Sequence, residues 1–345
     1  MGKSKLMNKD ENSDKNSKEF MVPTLPQRSY KDQQEIDALI ERTKSTLVAD
    51  MAPLTHLAYE KDWQDFQLFN KKTNQQSLPA LPQTILLYLQ HLVDKGLKIN
   101  TIRRRTAAIR YYHHDAGLDS PTDQVVCKKM MRAVTRQLGS HTEQKQAMYV
   151  DDLKKIIDSI DDTSLAGKRD KAMLLLGFSG GFRRSEVVTL DVSQLHFREE
   201  HLKVHLKRSK TDQTGKGLDK AILGHPDSPY CAVKAVKDWL AASQIKSGAV
   251  FRRVRRGQKL NLHDDKALSA VTYSSRIKHY CALIGLDASQ YSGHSLRSGF
   301  VTSTAIQGKD VLQIADITKQ DIRTVQHYMR KAKIFEHHAG ENLWD

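Results

Sequence analysis

Hydrophobic residues recur at helical spacing through most of the first part of the chain. Between residues 31 and 137 the apolar positions return every three or four residues, and the stops fall where helix ends are expected. Pro82 opens one such segment and Gly96 closes it, Asn100 is expected to cap the next, and Ser120-Pro121 to open another. We therefore predict a helical domain over residues 31–137.

The second part of the chain, residues 148–345, changes its pattern once. Leu202, Val204 and Leu206 alternate with polar residues, as in a half-buried strand, and residues 220–223 can return as its partner after a turn at 211–218. Elsewhere the spacing is helical, over residues 150–160, 171–178, 229–243, 269–285, 294–307 and 321–330. The predicted fold class is mainly α with a small antiparallel β-sheet in the C-terminal domain.

Two segments lack any apolar period. Residues 1–30 are rich in Lys, Asn, Ser and Asp and are expected to form a disordered tail. Residues 138–147 are polar and are expected to link the two domains.

Composition narrows the class of partner. The 345 residues are enough for about two domains, and 55 Lys and Arg against 40 Asp and Glu leave a formal charge of +15. Such an excess predicts a polyanionic partner, with nucleic acid the first candidate and an acidic membrane surface the second. No segment approaches the roughly 20 apolar residues of a membrane span, and the basic amino terminus lacks a secretory pattern. We expect a cytoplasmic protein.

Three cysteines are widely spaced and form no Cys-x-x-Cys pair. Cys127, Cys231 and Cys281 therefore indicate neither a disulfide framework nor a structural zinc site. We expect them to be buried apolar residues in a reducing compartment.

Basic residues concentrate in two places. Residues 95–136 hold ten Lys or Arg against three Asp, and FRRVRRGQK, residues 251–259, holds five Lys or Arg and no acid. Contacts to DNA phosphates are expected from both clusters, although a solvated surface is the alternative for each. The candidate DNA-binding residues are Arg103, Arg104, Arg105, Arg110, Lys128, Lys129, Arg132, Arg252, Arg253, Arg255 and Arg256.

Two short strings combine arginine with a possible phosphate site. In SGGFRRSE, Arg183 stands at a predicted helix start, where free N–H groups and a guanidinium attract phosphate, and Glu186 could pair with a neighbouring cation. In SGHSLRSG, His294 and Arg297 share one helix face, so a base lies beside a phosphate ligand. Taken singly, each is also explained as an ordinary surface or capping pair.

Two more residues complete a possible set for phosphodiester cleavage. Lys210 ends the alternating strand, where a turn could bring it into a cationic cleft as a proton donor. Tyr328 lies in TVQHYMRKA and could act as a nucleophile, although any one of eleven tyrosines is more often a packing residue.

The order of these parts resembles the tyrosine site-specific recombinases, the integrase-like family. ArgxxGlu, Lys on a hairpin, HisxxArg and a later Tyr cover most of the chain after the tail. The resemblance implies a two-domain DNA clamp with an integrase-like catalytic fold, and recombination of double-stranded DNA in the manner of an integrase or a mobile element. It also implies a homo-tetramer on DNA and no requirement for ATP, metal or another cofactor.

The same resemblance implies a role for each site residue. Tyr328 would attack the phosphate and form a 3′-phosphotyrosyl bond, Arg183 and Arg297 would hold the non-bridging oxygens, and Glu186 would support the site. His294 would assist removal of the tyrosine proton, and Lys210 would protonate the leaving 5′ oxygen. Nine residues before the tyrosine the family usually carries His or Trp, whereas this chain has Lys319, a weaker substitute that can still donate a hydrogen bond.

The resemblance also assigns the end of the chain. Phe335, Leu343 and Trp344 would form a C-terminal oligomerisation tail that docks into a neighbouring protomer, with packing on its own domain as the alternative. Two other functions stay open at this stage. A type IB topoisomerase would use similar chemistry on one duplex, and a non-enzymatic architectural protein would use only the basic clusters.

Overall fold

The computed structural model describes residues 33–48, 53–139, 145–207 and 217–332. Contacts divide the chain into two units, Met1–Thr142 and Glu143–Asp345. The boundary falls within the polar stretch 138–147, and each unit is described by itself. The predicted tail at residues 1–30 lies outside the described residues, as do Lys210, most of the predicted turn at 211–218, and the terminal apolar residues of 333–345.

The described residues of the N-terminal unit form helices and no strand. The helices are α1 (Gln33–Val48), α2 (Pro53–Lys72), α3 (Pro82–Asp94), α4 (Ile99–Asp115) and α5 (Val125–Leu138). The apolar faces of α2, α3, α4 and α5 meet in one core around Phe66, Tyr88, Leu89 and Ile102, all fully buried. Pro82 occupies the first turn of α3, as predicted, since its fixed φ and missing N–H suit that position.

Two predicted helix starts in this unit were wrong by a few residues. Lys98, not Asn100, is the N-cap of α4, because the apolar Ile99 is already needed in the buried face. Ser120-Pro121 opens a single 3₁₀ turn, in which the Ser120 hydroxyl accepts from the Thr122 N–H, and α5 begins only at Val125.

The C-terminal unit is helical around a small sheet. Its helices are α6 (Val150–Asp158), α7 (Leu165–Ser179), α8 (Arg184–Val188), α9 (Ala232–Ser243), α10 (Ala270–Leu283), α11 (Gly293–Ile306), α12 (Val311–Thr318) and α13 (Ile322–Ala332). Its strands are β1 (Leu195–Arg198), β2 (His201–Leu206), β3 (Leu218–Ile222), β4 (Val254–Arg255) and β5 (Lys259–Leu260). The predicted fold class is confirmed, although β1, α12 and the two-residue pair β4–β5 were missed.

Strands β1, β2 and β3 form an antiparallel sheet in that order. Leu202, Val204 and Leu206 of β2 are buried, as their alternation predicted, and Val204 lies opposite Lys220 of β3. The main core of the unit packs this face against α7 and α9, with Trp239 and Leu176 fully buried. The sheet therefore brings β3 close to the end of α7.

A smaller apolar cluster joins the last three helices. Phe300 and Val301 of α11, Ile314 of α12 and Val325 of α13 are buried together, and Tyr328 packs against them. This cluster packs α13 against α11. The three cysteines are buried and free, as expected.

No helix among the described residues is both long enough and apolar enough to cross a membrane.

Candidate active site

A glycine turn places Arg183 at the amino end of α8. Helix α7 ends at Ser179, and Gly181 follows with a φ of 52°, in the left-handed region that favours glycine. A Cβ atom on Gly181 would also lie 2.8 Å from the Thr318 side chain. The turn is therefore tight, and it delivers Arg183 as the N-cap residue of α8.

The buried carboxylate of Glu186 holds Arg183 in place. Glu186 Oε1 accepts a hydrogen bond of 2.7 Å from Arg183 Nη1, and Glu186 Oε2 accepts one of 2.8 Å from the Arg183 backbone N–H. Arg183 Nη2 also donates to the carbonyl oxygen of Lys319 at 3.4 Å. A charge-assisted pair of this kind fixes the direction of the guanidinium, which is what phosphate binding requires.

Arg297 lies deeper than Arg183 and is held by backbone carbonyls. Its side chain, on α11, is 1% exposed. Nη1 donates to the carbonyl oxygen of Gly181, and Nη2 donates to that of Thr318 at 2.7 Å. Burial, together with the charge of Arg183, lowers the pKa of Arg297 to about 10. The guanidinium still has donors left over after these two bonds, since it carries five N–H groups.

The tyrosine hydroxyl meets the histidine ring. Tyr328 Oη lies 3.1 Å from Nε2 of His294, and the ring of Tyr328 is half-buried against the small apolar cluster. Desolvation, followed by the charges of Arg297 and Arg183, lowers the pKa of His294 below its usual 6.5. A neutral imidazole can accept a proton, so this contact has the donor and acceptor that activation of a phenol requires.

The Tyr328 hydroxyl is subject to two opposing effects. Burial raises its pKa above the usual value of 10, and the positive charge of Arg297 lowers it. The burial effect is the larger, so Tyr328 is a phenol at neutral pH and needs a base to become a nucleophile.

Lys319 lies at the site, but its ammonium is engaged elsewhere. It is the C-cap residue of α12, with a φ of 54°, and its Nζ forms an ion pair with Asp316. Only its carbonyl oxygen contacts the catalytic cluster, through Arg183. The structure thus brings together Arg183, Glu186, His294, Arg297 and Tyr328, with Lys319 at the edge.

Sequence reasoning missed a second lysine, Lys220. Its Nζ lies under the glycine turn, 2.7 Å from the carbonyl oxygen of Gly180, and its side chain is 2% exposed. The signal was present in the strand pattern. Because residues two apart share a face of a strand, Lys220 must point the same way as the buried Ile222.

Four of the candidate DNA-binding residues of the N-terminal unit line one groove. Arg103 and Arg110 of α4 and Lys128 and Arg132 of α5 border a cavity of about 610 Å³, and all four side chains are exposed. Arg110 and Lys128 share a carboxylate partner, Asp123, at 3.2 and 3.7 Å. Lys129 is also exposed, on α5.

The three neighbouring arginines do not all point to solvent. They are Arg103, Arg104 and Arg105. Arg104 is ion-paired with Asp62 at 2.9 Å but stays largely exposed, whereas Arg105 points inward to Asp65 and to the hydroxyl of Tyr88. Arg105 is therefore engaged inside the unit, and we leave it out of the DNA contacts proposed below.

The second basic cluster, residues 251–259, also contains both exposed and buried arginines. Arg253, Arg255 and Arg256 are exposed, and Arg253 and Arg255 border a cavity of about 600 Å³. Arg252 is 3% exposed and donates to the carbonyl oxygens of Ser247, Ala249 and Leu262. The inward direction of Arg252 makes it a structural residue, since its donors are satisfied by the loop around it.

Comparison with known proteins finds integrases and recombinases. A family model for the phage integrase family matches residues 146–334, and one for the phage integrase N-terminal SAM-like domain matches residues 46–116. The integrase/recombinase xerD homolog of Selenomonas ruminantium is 35% identical over 308 residues, which are 88% of this chain and 89% of that protein. The tyrosine recombinase XerD of Caulobacter vibrioides is 28% identical over 321 residues, 89% and 92% of the two chains.

Solved structures show the same fold. The post-cleavage complex of XerH site-specific recombinase with a palindromic difH substrate has a TM-score of 0.61 at 14% identity, covering 93% of this chain and 92% of that one. The Tn1549 transposon integrase in complex with transposon right end DNA has a TM-score of 0.59 at 13% identity, covering 83% and 92%.

These matches define the class as tyrosine recombinases, enzymes that transfer DNA strands in site-specific recombination. The chain belongs to the phage integrase family. Membership favours recombination over the topoisomerase and architectural alternatives.

Proposed function

We propose that this recombinase cleaves DNA by attack of Tyr328 Oη on the scissile phosphate. The Oη–P bond forms as the P–O5′ bond breaks, which leaves a 3′-phosphotyrosyl bond and a free 5′-hydroxyl. His294 takes the phenolic proton. The observation that carries this proposal is the 3.1 Å contact between Tyr328 Oη and Nε2 of His294, whose pKa is lowered by burial and by the charges of Arg297 and Arg183.

The arginines bind the non-bridging oxygens and stabilise the added charge of the five-coordinate state. Arg183 is directed by Glu186 and Arg297 by two carbonyl oxygens, so neither guanidinium has to reorganise during the reaction. Preorganised donors of this kind are usually the largest single contribution to such a rate.

Two lysines complete the proposed chemistry. Lys210 protonates the leaving 5′ oxygen, and Lys319, after release from Asp316, donates a hydrogen bond to a phosphate oxygen. Because the phosphotyrosyl bond retains the energy of the phosphodiester, a 5′-hydroxyl from a second duplex can reverse the step. Strand exchange then proceeds through a four-way junction and needs neither ATP nor metal.

The proposed partner is a double-stranded recombination site, bound in the cytoplasm by four copies of the chain. The relatives XerH and Tn1549 integrase were solved with DNA, and the order of motifs here also resembles that of Cre recombinase. Arg103, Arg104, Arg110, Lys128, Lys129, Arg132, Arg253, Arg255 and Arg256 are the proposed phosphate contacts. Residues 31–137 would clamp the DNA, and residues 148–345 would cut it.

A cavity in the C-terminal unit supports tail exchange between protomers. It measures about 620 Å³ and is lined by apolar side chains that include Phe178, Leu223 and Ile317. The apolar residues Phe335, Leu343 and Trp344 have the chemistry to fill such a cavity on a neighbouring copy.

Covalent trapping tests the proposal. The Tyr328→Phe protein first selects its binding site from a random duplex library, and nicked suicide duplexes are then built on the selected sequence. We expect the unaltered protein to form a denaturation-resistant DNA adduct and Tyr328→Phe to bind equally but form none. Tyr149→Phe, a change at an exposed tyrosine, is the matched control and should form the adduct.

The alternatives give different results in the same assay. Intact binding with no adduct from the unaltered protein would refute cleavage and support an architectural protein. An adduct without four-way junctions from two duplexes would support a topoisomerase.

A further inference from the structure

Lys220 is buried in a place where lysine is rarely found. It lies on the inward face of β3 between Leu218 and Ile222, opposite Val204 of β2. Its side chain is 2% exposed, and lysines are almost never fully buried unless a partner holds them. The surroundings of its ammonium group therefore show what it does.

Among the residues that the structure describes, the direct partners of the Lys220 ammonium belong to the glycine turn, Gly180–Phe182. Nζ donates to the carbonyl oxygen of Gly180 at 2.7 Å and lies 3.5 Å from that of Gly181. It also lies 4.7 Å from the centre of the Phe182 ring, within the range of a cation–π contact. These are the three residues that precede Arg183 in the chain.

The same turn also holds Arg297. The Gly181 carbonyl oxygen accepts from Arg297 Nη1 as well as lying close to Lys220 Nζ. The Gly180–Phe182 turn thus accepts hydrogen bonds from Lys220 of β3 and from Arg297 of α11. Arg183 follows this turn directly in the chain. A shift of that segment would move both proposed phosphate ligands together.

We propose that Lys220 is a positioning residue for DNA cleavage, which holds the Gly180–Phe182 turn so that Arg183 and Arg297 stay correctly spaced around the phosphate. The inference rests on the function proposed above. Lys220 is distinct from the proton donor Lys210, because its ammonium lies beneath the turn and is closed off from solvent.

The charges that face Lys220 give the proposal a pH dependence. Burial, opposed by Glu186 of α8 and reinforced by Arg297 of α11, Arg183 and Lys319, lowers the pKa of Lys220 to about 7. The ammonium form makes the stronger bonds to the two carbonyl oxygens, and it is lost as the pH rises through that value. An incoming phosphate adds negative charge near the same cations and favours the ammonium form.

The same burial predicts that Lys220 opposes folding. A lysine with a pKa lowered from 10.5 to about 7 binds fewer protons in the folded than in the unfolded state between those values. The free energy of unfolding should therefore rise as the pH rises from about 7 to 10.5. Below about pH 7 the buried ammonium destabilises the fold to its full extent. An apolar side chain at this position should therefore stabilise the fold and still impair the reaction.

The test compares Lys220→Met with Lys203→Met, an exposed lysine of the neighbouring strand β2 that pairs with Asp219. We expect Lys220→Met to keep the DNA affinity and to melt at the same or a higher temperature. Its single-turnover rate of adduct formation should fall by about 10-fold or more. Lys203→Met should cleave normally.

A second variant keeps the test decisive if Lys220→Met fails to fold. Lys220→Gln keeps an N–H donor without the charge, so an intermediate rate is expected. The ratio of the unaltered rate to that of Lys220→Gln should be largest near pH 6 and should fall towards about pH 9.

Three outcomes are possible for the inference. Loss of rate at intact affinity, with the ratio falling as the pH rises, supports it. If Lys220→Met forms the adduct at the unaltered rate and with the unaltered pH profile, the inference is overturned and the proposed function stands. If Lys220→Met does not fold, the same result in Lys220→Gln has the same meaning. Absence of any adduct from the unaltered protein refutes the proposed function itself.

Discussion

The cations of the candidate active site and those of the proposed DNA-binding groove are held in opposite ways. Arg297 and Lys220 are buried, and backbone carbonyl oxygens occupy part of their donors. In the groove of the N-terminal unit, Arg110 and Lys128 are exposed and share the carboxylate of Asp123. Both regions are strongly basic, but the cations of the first are buried and those of the second are exposed.

The difference follows from the work that each region is proposed to do. Exposed ion pairs contribute about 0–1 kcal/mol each, so a DNA phosphate can replace Asp123 at little cost. A buried cation already bonded to carbonyl oxygens cannot move without losing those bonds, and it meets the phosphate in a fixed geometry. DNA binding thus requires cations that can exchange a protein carboxylate for a phosphate, whereas cleavage requires cations held in one position.

The largest expected effect is on the rate of adduct formation, from a substitution in the candidate active site. Arg183→Lys keeps a positive charge but cannot bond Glu186 and a phosphate with a planar fork, so the rate of adduct formation should fall by about 10²–10³-fold. Single-turnover trapping on a suicide duplex measures it. Arg184→Lys is the matched control, since Arg184 is the exposed neighbour that contacts Ser274, and its rate should stay within a few-fold. Equal losses in both variants would contradict the assignment.

His294 should give the next largest effect and a change in pH dependence. Burial and the charges of Arg297 and Arg183 lower its pKa, so the ring is neutral at pH 7 and above, and its protonation at a more acidic pH removes the base. The cleavage rate of the unaltered protein should therefore fall on the acid side. His294→Gln should lower the rate at pH 7.5 by about 10²-fold and remove that acid fall. An acid fall that persists in His294→Gln would assign it to another group.

Much of this site could be predicted from the sequence, because its spacing is local. Arg183 caps α8 three residues before Glu186, and His294 and Arg297 lie three apart on α11, so each pair is placed by a single helix. The contact between His294 and Tyr328 spans 34 residues, and only the resemblance to a family gave it in advance.

What the sequence left out depends on long-range packing. Lys220 was not singled out, because its contact with the glycine turn spans 40 residues, and Arg252 was grouped with Arg253, from which only the carbonyl oxygens of its folded loop distinguish it. Helix α12 was missed as well, although Asp310 caps it through the Leu312 N–H. Charge counts along the chain cannot distinguish an inward cation from an outward one, since direction is set by the packing partner.

The contrast between Arg252 and Arg253 can be measured directly. Arg252→Ala removes a buried guanidinium that bonds the carbonyl oxygens of Ala249 and Leu262, so the free energy of unfolding should fall by about 2 kcal/mol. Arg253→Ala should leave stability unchanged and weaken DNA binding. Chemical denaturation and DNA titration of both variants provide the check. A stable Arg252→Ala protein with weakened DNA binding would reverse the two roles.

The smallest expected effects lie in the groove of the N-terminal unit, where two substitutions should change DNA affinity in opposite directions. Lys128→Ala should weaken DNA binding a few-fold and reduce the slope of log K against log salt by about 0.9, as one phosphate contact is lost. Asp123→Asn should strengthen binding a few-fold, because Arg110 and Lys128 no longer have to leave a carboxylate. Titration at several salt concentrations measures both variants. Weaker binding by Asp123→Asn would show that this carboxylate fixes the groove cations in place, and the distinction between exchangeable and fixed charge would then fail.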